Sequence, residues 1–155
     1  MSAVPSLLRD LLPRLNELSG TLRRGKLFER AVAATGLPLE RPAMSVLGIL
    51  HVEGGPLRVG EIANRMNVVG PHVTRQVQGL ESRGLVRRVA DPDDQRARLI
   101  ELTPEGKAAS ERYVEVIEGW FADALSDWTA EDRQVLDRLL TRLVEDLTAR
   151  LSEMD

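Results

Sequence analysis

Apolar residues recur at three- and four-residue spacings near the start of the chain: Leu7, Leu8, Leu11, Leu12, Leu15, Leu18 and Leu22. That period predicts a mostly helical segment over 5–35 with one apolar stripe. Pro13 interrupts the pattern. It either kinks the helix or sits in the first turn of a second helix that starts there, where its missing N–H costs nothing. Gly20 and Gly25 also argue against one straight rod. The run TGLPLERP is a connector. Beyond it, Ala43 to His51 predicts a short helix whose Met44, Leu47 and Leu50 face a core, ended by Gly54-Gly55-Pro56.

Two closely spaced helices follow. Val59 to Met66 puts Val59, Ile62, Ala63 and Met66 on one face; Asn67, Val68 and Val69 make a turn; and Gly70-Pro71 opens PHVTRQVQGLESRG, closed by Gly84 as a left-handed cap. Leu85 to Ala90 and Ala97 to Leu102 read as two strands around DPDDQR. A helix-turn-helix followed by a hairpin is a winged helix. Thr103-Pro104-Glu105 starts another helix, running to about Ser126, and Thr129 caps the last. That last helix carries Val135, Leu136, Leu139, Leu140, Leu143, Val144, Leu147 and Leu151, a stripe too long for one small domain to cover.

The fold class expected is mostly α with a small β-hairpin wing. Residues 1–38 form an N-terminal helical region, 39–102 the winged helix-turn-helix and 103–155 the C-terminal helices. At 155 residues and 43% apolar content, the chain suits a single domain with one core.

Charge changes this picture more than composition does. The net charge is -3, yet Arg58 to Arg98 holds eight arginines against five acids. A basic middle between acidic ends suits a centre that meets an anion. Aromatics are only 3% of the chain, too few for platforms that stack single-stranded bases, so a duplex is the favoured nucleic acid. With no cysteine, disulfides, thiolate metal sites and thiol chemistry are excluded. No signal peptide or membrane span stands out, and a cytoplasmic location without membrane association is expected.

In the second helix of the pair, Val73, Val77 and Leu80 share one direction. Arg75, Gln78 and Ser82 point the other way, flanked by His72, Thr74 and Gly79. Arg and Gln there can make bidentate contacts to guanine and adenine edges, and Thr and His can reach a base or phosphate. Gly79, with no side chain, permits close backbone approach. The acids at 91–94 do not form a calcium loop: the fifth, sixth and twelfth positions from Asp91 are Gln95, Arg96 and Leu102, where an oxygen ligand, glycine and glutamate are needed. His51 and His72, on different helices, make no zinc site. As a wing the segment is coherent. Asp94 is two residues from Arg96, close enough to pair with its guanidinium, and an arginine at a hairpin tip can enter a minor groove. Arg98 is a second wing candidate, and Arg58 and Arg88 are candidates for phosphate contacts. No constellation of nucleophile and base, phosphate-binding loop or catalytic carboxylate pair is present, so no enzyme and no cofactor are expected.

GLVRR (84–88), DPDDQR (91–96) and LTPEG (102–106), in this order and spacing, resemble the winged-helix core of the MarR family of bacterial transcription regulators. The resemblance extends from 57–106 to nearly the whole chain. It implies a homodimer with interlocked N- and C-terminal helices, and a pseudo-palindromic double-stranded operator. The face around His72, Thr74 and Arg75 would meet the major groove, with Arg96 as wing arginine and Asp94 orienting it. It implies too a repressor that a small, often phenolic, ligand releases by binding between the dimer helices and the winged helix. Phe28, Met44, His51 and Trp120 are candidate liners, each more readily a core residue, and no ligand residue is assigned. A winged-helix module that binds a protein partner, and a regulator without a ligand, stay open as alternatives. The chain departs from the family pattern at Pro13, Gly20 and Gly79.

Overall fold

The computed structural model describes the backbone of residues 4–154 and the side chains of 9–23 and 25–154. Leu7 and Leu8, assigned to the first apolar stripe, have side chains outside these described residues. Among the described residues, seven helices and one hairpin follow in the order α1 (Val4–Arg24), α2 (Leu27–Ala34), α3 (Arg41–Glu53), α4 (Val59–Met66), α5 (Gly70–Ser82), β1 (Val86–Ala90), β2 (Arg98–Leu102), α6 (Pro104–Ala124) and α7 (Ala130–Ser152).

Pro13 lies inside α1 and starts no new helix. The interruption comes instead at Gly25, whose N–H closes the last turn onto the Thr21 carbonyl at 3.0 Å before α2 begins. The chain divides into two compact units, one ending at Glu118 and the other starting at Gly119, so the division falls within α6.

In the first unit the core gathers Met44, Val46, Leu47 and Leu50 from α3, Ile62 and Ala63 from α4, Val73, Val77 and Leu80 from α5, and Val86 and Ile100 from the hairpin. The inward faces are those that the 3.6 period assigns. Burying each Val or Leu completely contributes ~1.5–3 kcal/mol, and this apolar cluster holds α5 against α3 and α4. Asn67 ends α4 in the left-handed conformation, φ 55°, and lets the chain turn within three residues into α5. Gly84, φ 69°, does the same between α5 and β1.

The hairpin is antiparallel, in register from Val86 opposite Leu102 to Ala90 opposite Arg98. Leu57 forms a separate bridge to β2: its N–H and C=O both bond to Ile100, at 3.0 and 2.7 Å. The segment before α4 is therefore stitched to the wing, which fixes the wing relative to the helix-turn-helix.

LTPEG is the junction that launches α6. The Thr103 hydroxyl donates to the Gly84 carbonyl at 2.6 Å, its oxygen accepts the Gly106 N–H at 3.1 Å, and the Thr103 N–H bonds the Leu85 carbonyl at 3.1 Å. Gly106 is buried because α6 passes directly over this turn: a Cβ there would sit 1.8 Å from the Leu85 carbonyl oxygen.

In the second unit, Thr129 caps α7 by accepting the Asp132 N–H at 3.1 Å, and Trp120 meets Phe121 edge-on with ring centroids 5.0 Å apart. No residue of α7 is buried, and Leu139, Leu140, Val144, Leu147 and Leu151 are all exposed.

Candidate nucleic-acid interface

The face of α5 opposite its buried valines carries Arg75 and Gln78, both exposed, with His72 and Thr74 half-buried at its edges. The Thr74 hydroxyl donates to the Gly70 carbonyl at 3.2 Å, one turn back, so its hydrogen is committed to its own helix while the oxygen can still accept. A Cβ at Gly79 would meet nothing within 4 Å. No packing inside the chain therefore requires glycine there.

The wing turn is ordered by two aspartates through the backbone. Asp94 does not pair with the Arg96 guanidinium, as their spacing predicts; its Oδ1 accepts the Arg96 N–H at 3.0 Å, and its carbonyl accepts the Ala97 N–H at 3.0 Å. An aspartate side chain reaches the amide two residues on with little loss of rotamer freedom, and the longer arginine side chain stays out of that turn. Asp91 Oδ1 likewise accepts the Asp93 N–H at 2.9 Å. The second oxygen of Asp91 takes the Arg58 guanidinium, with Nε at 2.8 Å and the terminal nitrogen also bonded. These hydrogen bonds hold the Asp91 carboxyl below the usual carboxylate range, the Asp93 amide first and the Arg58 guanidinium second, and the same pair raises Arg58. Arg58 also opens α4, where its backbone N–H bonds Glu61 Oε2 at 2.7 Å.

The remaining arginines sort by partner. Arg65 pairs with Glu53 at 2.8 Å, Arg87 with Glu101 at 2.6 Å and Arg88 with Glu81 at 3.1 Å. Arg83 donates to the Pro38 carbonyl at 2.7 Å, and Arg98 folds back on the carbonyls of Gln95 and Ala97 at 3.2 and 3.3 Å. Among the described residues, Arg75 and Arg96 are the two of the eight whose guanidinium groups have no partner. Arg58 and Arg88, candidates for phosphate, are bound to Asp91 and Glu81, and a terminal nitrogen of Arg98, a wing candidate, is turned onto carbonyls of the wing turn. The carboxylates that hold them lie on other elements, or seven and thirty-three residues away, beyond any local pattern.

A cleft of about 600 Å³ lies along α3, α4 and α6, lined by Met44, Ile49, Met66 and Tyr113 with the Arg65–Glu53 pair at its rim. Burial pushes the Tyr113 hydroxyl up from its ordinary value. Of the four candidate liners only Met44 borders this cleft. His51 Nδ1 is 3.2 Å from Ser110 Oγ and borders a separate hollow; Phe28 lies beneath the Arg41 guanidinium, 4.7 Å from its ring centre; Trp120 packs on Phe121. Among the described residues, no group of three His, Cys, Asp or Glu side chains is set to hold a metal ion, and no helix is long and apolar enough to cross a membrane.

The MarR family model matches residues 39–97. The HTH-type transcriptional regulator PecS of Dickeya dadantii (strain 3937) is 30% identical over 143 residues, covering 89% of this chain and 85% of that one. A MarR family protein from Bacillus stearothermophilus superposes with a TM-score of 0.72 at 28% identity, over 90% of this chain and 97% of the other. Streptococcus pneumoniae FabT, solved in complex with DNA, has the same fold, with a TM-score of 0.70 at 18% identity, over 89% and 98% of the two chains.

Proposed function

The chain belongs to the MarR family of transcription regulators, and from that premise we propose that it binds an operator in double-stranded DNA as a homodimer and represses transcription. It is a regulator and not an enzyme. The observation that carries the DNA-binding reading is the pair of unpartnered arginines. Internal carboxylates and carbonyls occupy the other six guanidinium groups of the basic stretch. Arg75 on α5 and Arg96 at the wing tip are left to meet an anion from outside. The DNA complex of FabT, a protein of the same fold, supports this reading.

In this reading α5 lies in the major groove, with Arg75 and Gln78 reading base edges and His72 and Thr74 at the flanks. Arg96 enters the adjoining minor groove, and Asp94 orients it by fixing the backbone of the turn. Arg98 contributes charge beside it. Arg58 and Arg88 reach phosphate only by exchanging a carboxylate for it. Two copies related by a two-fold axis would meet half-sites ~34–36 Å apart, a pseudo-palindrome, with the exposed stripe of α7 supplying the protomer contact. A small effector in the cleft bordered by Met44 and Tyr113 would change that spacing and release DNA.

The test is binding of the full chain to duplex fragments, including its own upstream region, across a salt series. Affinity should fall with a log–log slope of ~0.9 per phosphate neutralised. Absence of duplex binding at low salt would overturn the reading and point to a winged helix that docks a protein.

A further inference from the structure

The starts of α2, α3 and α5 have no side-chain cap, whereas hydrogen-bonded side chains close the starts of α4, α6 and α7. At α6 the Thr103 oxygen accepts the Gly106 N–H, at α7 the Thr129 oxygen accepts the Asp132 N–H, and at α4 the Glu61 carboxylate returns to the Arg58 N–H. α5 instead starts on Val69, with no side-chain cap, followed by Gly70 and Pro71. Valine is among the poorest residues at a helix cap, where serine, threonine, aspartate and asparagine are preferred.

Burial does not explain the valine. Val69 stands four residues before Val73, in step with the buried Val73, Val77 and Leu80, which are 0%, 0% and 1% exposed, yet Val69 is 71% exposed. Its ψ of 148° is extended, so its side chain leaves the helical stripe and faces solvent. Pro71 is exposed beside it in sequence. The end of α5 thus presents aliphatic carbon where a polar cap would be more stable, on the helix that carries the unpartnered Arg75.

We propose that Val69, with Pro71, is a specificity-determining contact that reads the C5-methyl group of a pyrimidine in the major groove. The inference rests on the reading of the protein as a duplex-DNA binder. A recognition helix brings its N-terminal residues to the base edges. There the thymine C5-methyl is the one apolar group that the four base pairs present, and an aliphatic side chain is suited to it alone. Valine cannot hydrogen-bond to a neighbouring amino or carbonyl group, so it separates thymine and 5-methylcytosine from uracil and cytosine.

The full chain is used to select binding duplexes from a random pool. Each thymine of the selected site is then replaced singly by deoxyuridine, and affinities are measured for the wild type, Val69→Ala and Val69→Ser. The wild type should lose about fourfold per half-site at one thymine, the ratio expected from one buried methyl group. Both variants should be indifferent to deoxyuridine at that position while other positions keep their effects. Val69→Ser should also melt no lower than the wild type, because serine restores a cap, so stability and methyl discrimination separate. A wild type indifferent to every deoxyuridine, or a Val69→Ala that keeps the full loss, overturns the inference while duplex binding stands. If no duplex is enriched or bound at low salt, the DNA-binding reading itself fails and the inference with it.

Discussion

Asp91 and Arg58, thirty-three residues apart in sequence, form the ion pair that ties the root of the wing to the start of α4. The Asp91 side chain is 6% exposed and Arg58 is 48% exposed, so the carboxylate is the member that has given up water. Removing Arg58 would strand the buried carboxylate, and removing the Asp91 charge takes the ionic acceptor from both the Arg58 guanidinium and the Asp93 N–H.

Asp91→Asn should therefore lower the melting temperature more than Asp93→Asn, whose side chain is exposed. The pH dependence follows from the depressed Asp91 pKa. A carboxyl whose folded-state pKa lies below its unfolded value contributes stability above the unfolded value of ~3.9, and loses it as pH falls through the folded one. The gap in melting temperature between wild type and Asp91→Asn should be full at pH 7 and close below about pH 4. A gap that persists unchanged into acid would show that shape, not charge, carries the effect.

Gly106 makes a second, steric, prediction. Gly106→Ala places a methyl 1.8 Å from the Leu85 carbonyl oxygen, a backbone atom that the Thr103 N–H holds in place. Overpacking of this kind costs ~1–3 kcal/mol or more. Gly119→Ala in the same helix meets nothing within 4 Å and should be neutral or stabilise by up to ~1 kcal/mol. Denaturant melts of the two variants check this, and equal stabilities would refute it.

These two contacts mark where sequence stops being informative. Helix faces, the α4–turn–α5 unit, the hairpin and the Thr129 cap follow from spacings of two to four residues, and the chain carries them plainly: α4 spans Val59–Met66 as its apolar pattern predicts. The Arg58–Asp91 pair and the approach of α6 to Leu85 join residues twenty or more apart, and no periodicity encodes them. Local geometry can also mislead. Asp94 sits at ideal spacing for the Arg96 guanidinium, yet the nearer backbone N–H takes the carboxylate. Of the two readings of Pro13, the start of a second helix is excluded, because α1 runs through it and yields only at Gly25. At the site, the exposed polar face of α5 is legible, whereas which arginines remain unpartnered depends on carboxylates brought in by the fold.

Arg75 and Arg96 should fail differently when truncated. A bidentate base contact contributes ~1–3 kcal/mol of discrimination, so Arg75→Ala should bring operator and random duplex affinities closer together by about ten- to a hundredfold. Arg96→Ala should weaken binding to both, and lower the salt slope by about 1. Parallel titrations at two salt concentrations separate the outcomes. A loss of operator preference on Arg96→Ala, with none on Arg75→Ala, would reverse the assigned roles.

The exposed leucines of α7 predict the oligomeric state. Leu140, 44% exposed, and Leu147, 52% exposed, lie two turns apart on one stripe of a helix with no buried residue. If that stripe is covered by a second copy, burying each leucine contributes up to ~1.5–3 kcal/mol per protomer, and a carboxylate in its place must be desolvated without a partner. Leu140→Glu/Leu147→Glu should then run as a monomer in light scattering at concentrations where the wild type is a dimer, and keep its helical circular dichroism. Since one protomer meets only one half-site, the variant should also lose most of its affinity for the two-half-site duplex while binding an isolated half-site as the wild type does. A wild type that is itself monomeric, or a double variant that remains dimeric, would remove α7 from the protomer contact and leave its apolar stripe to another partner.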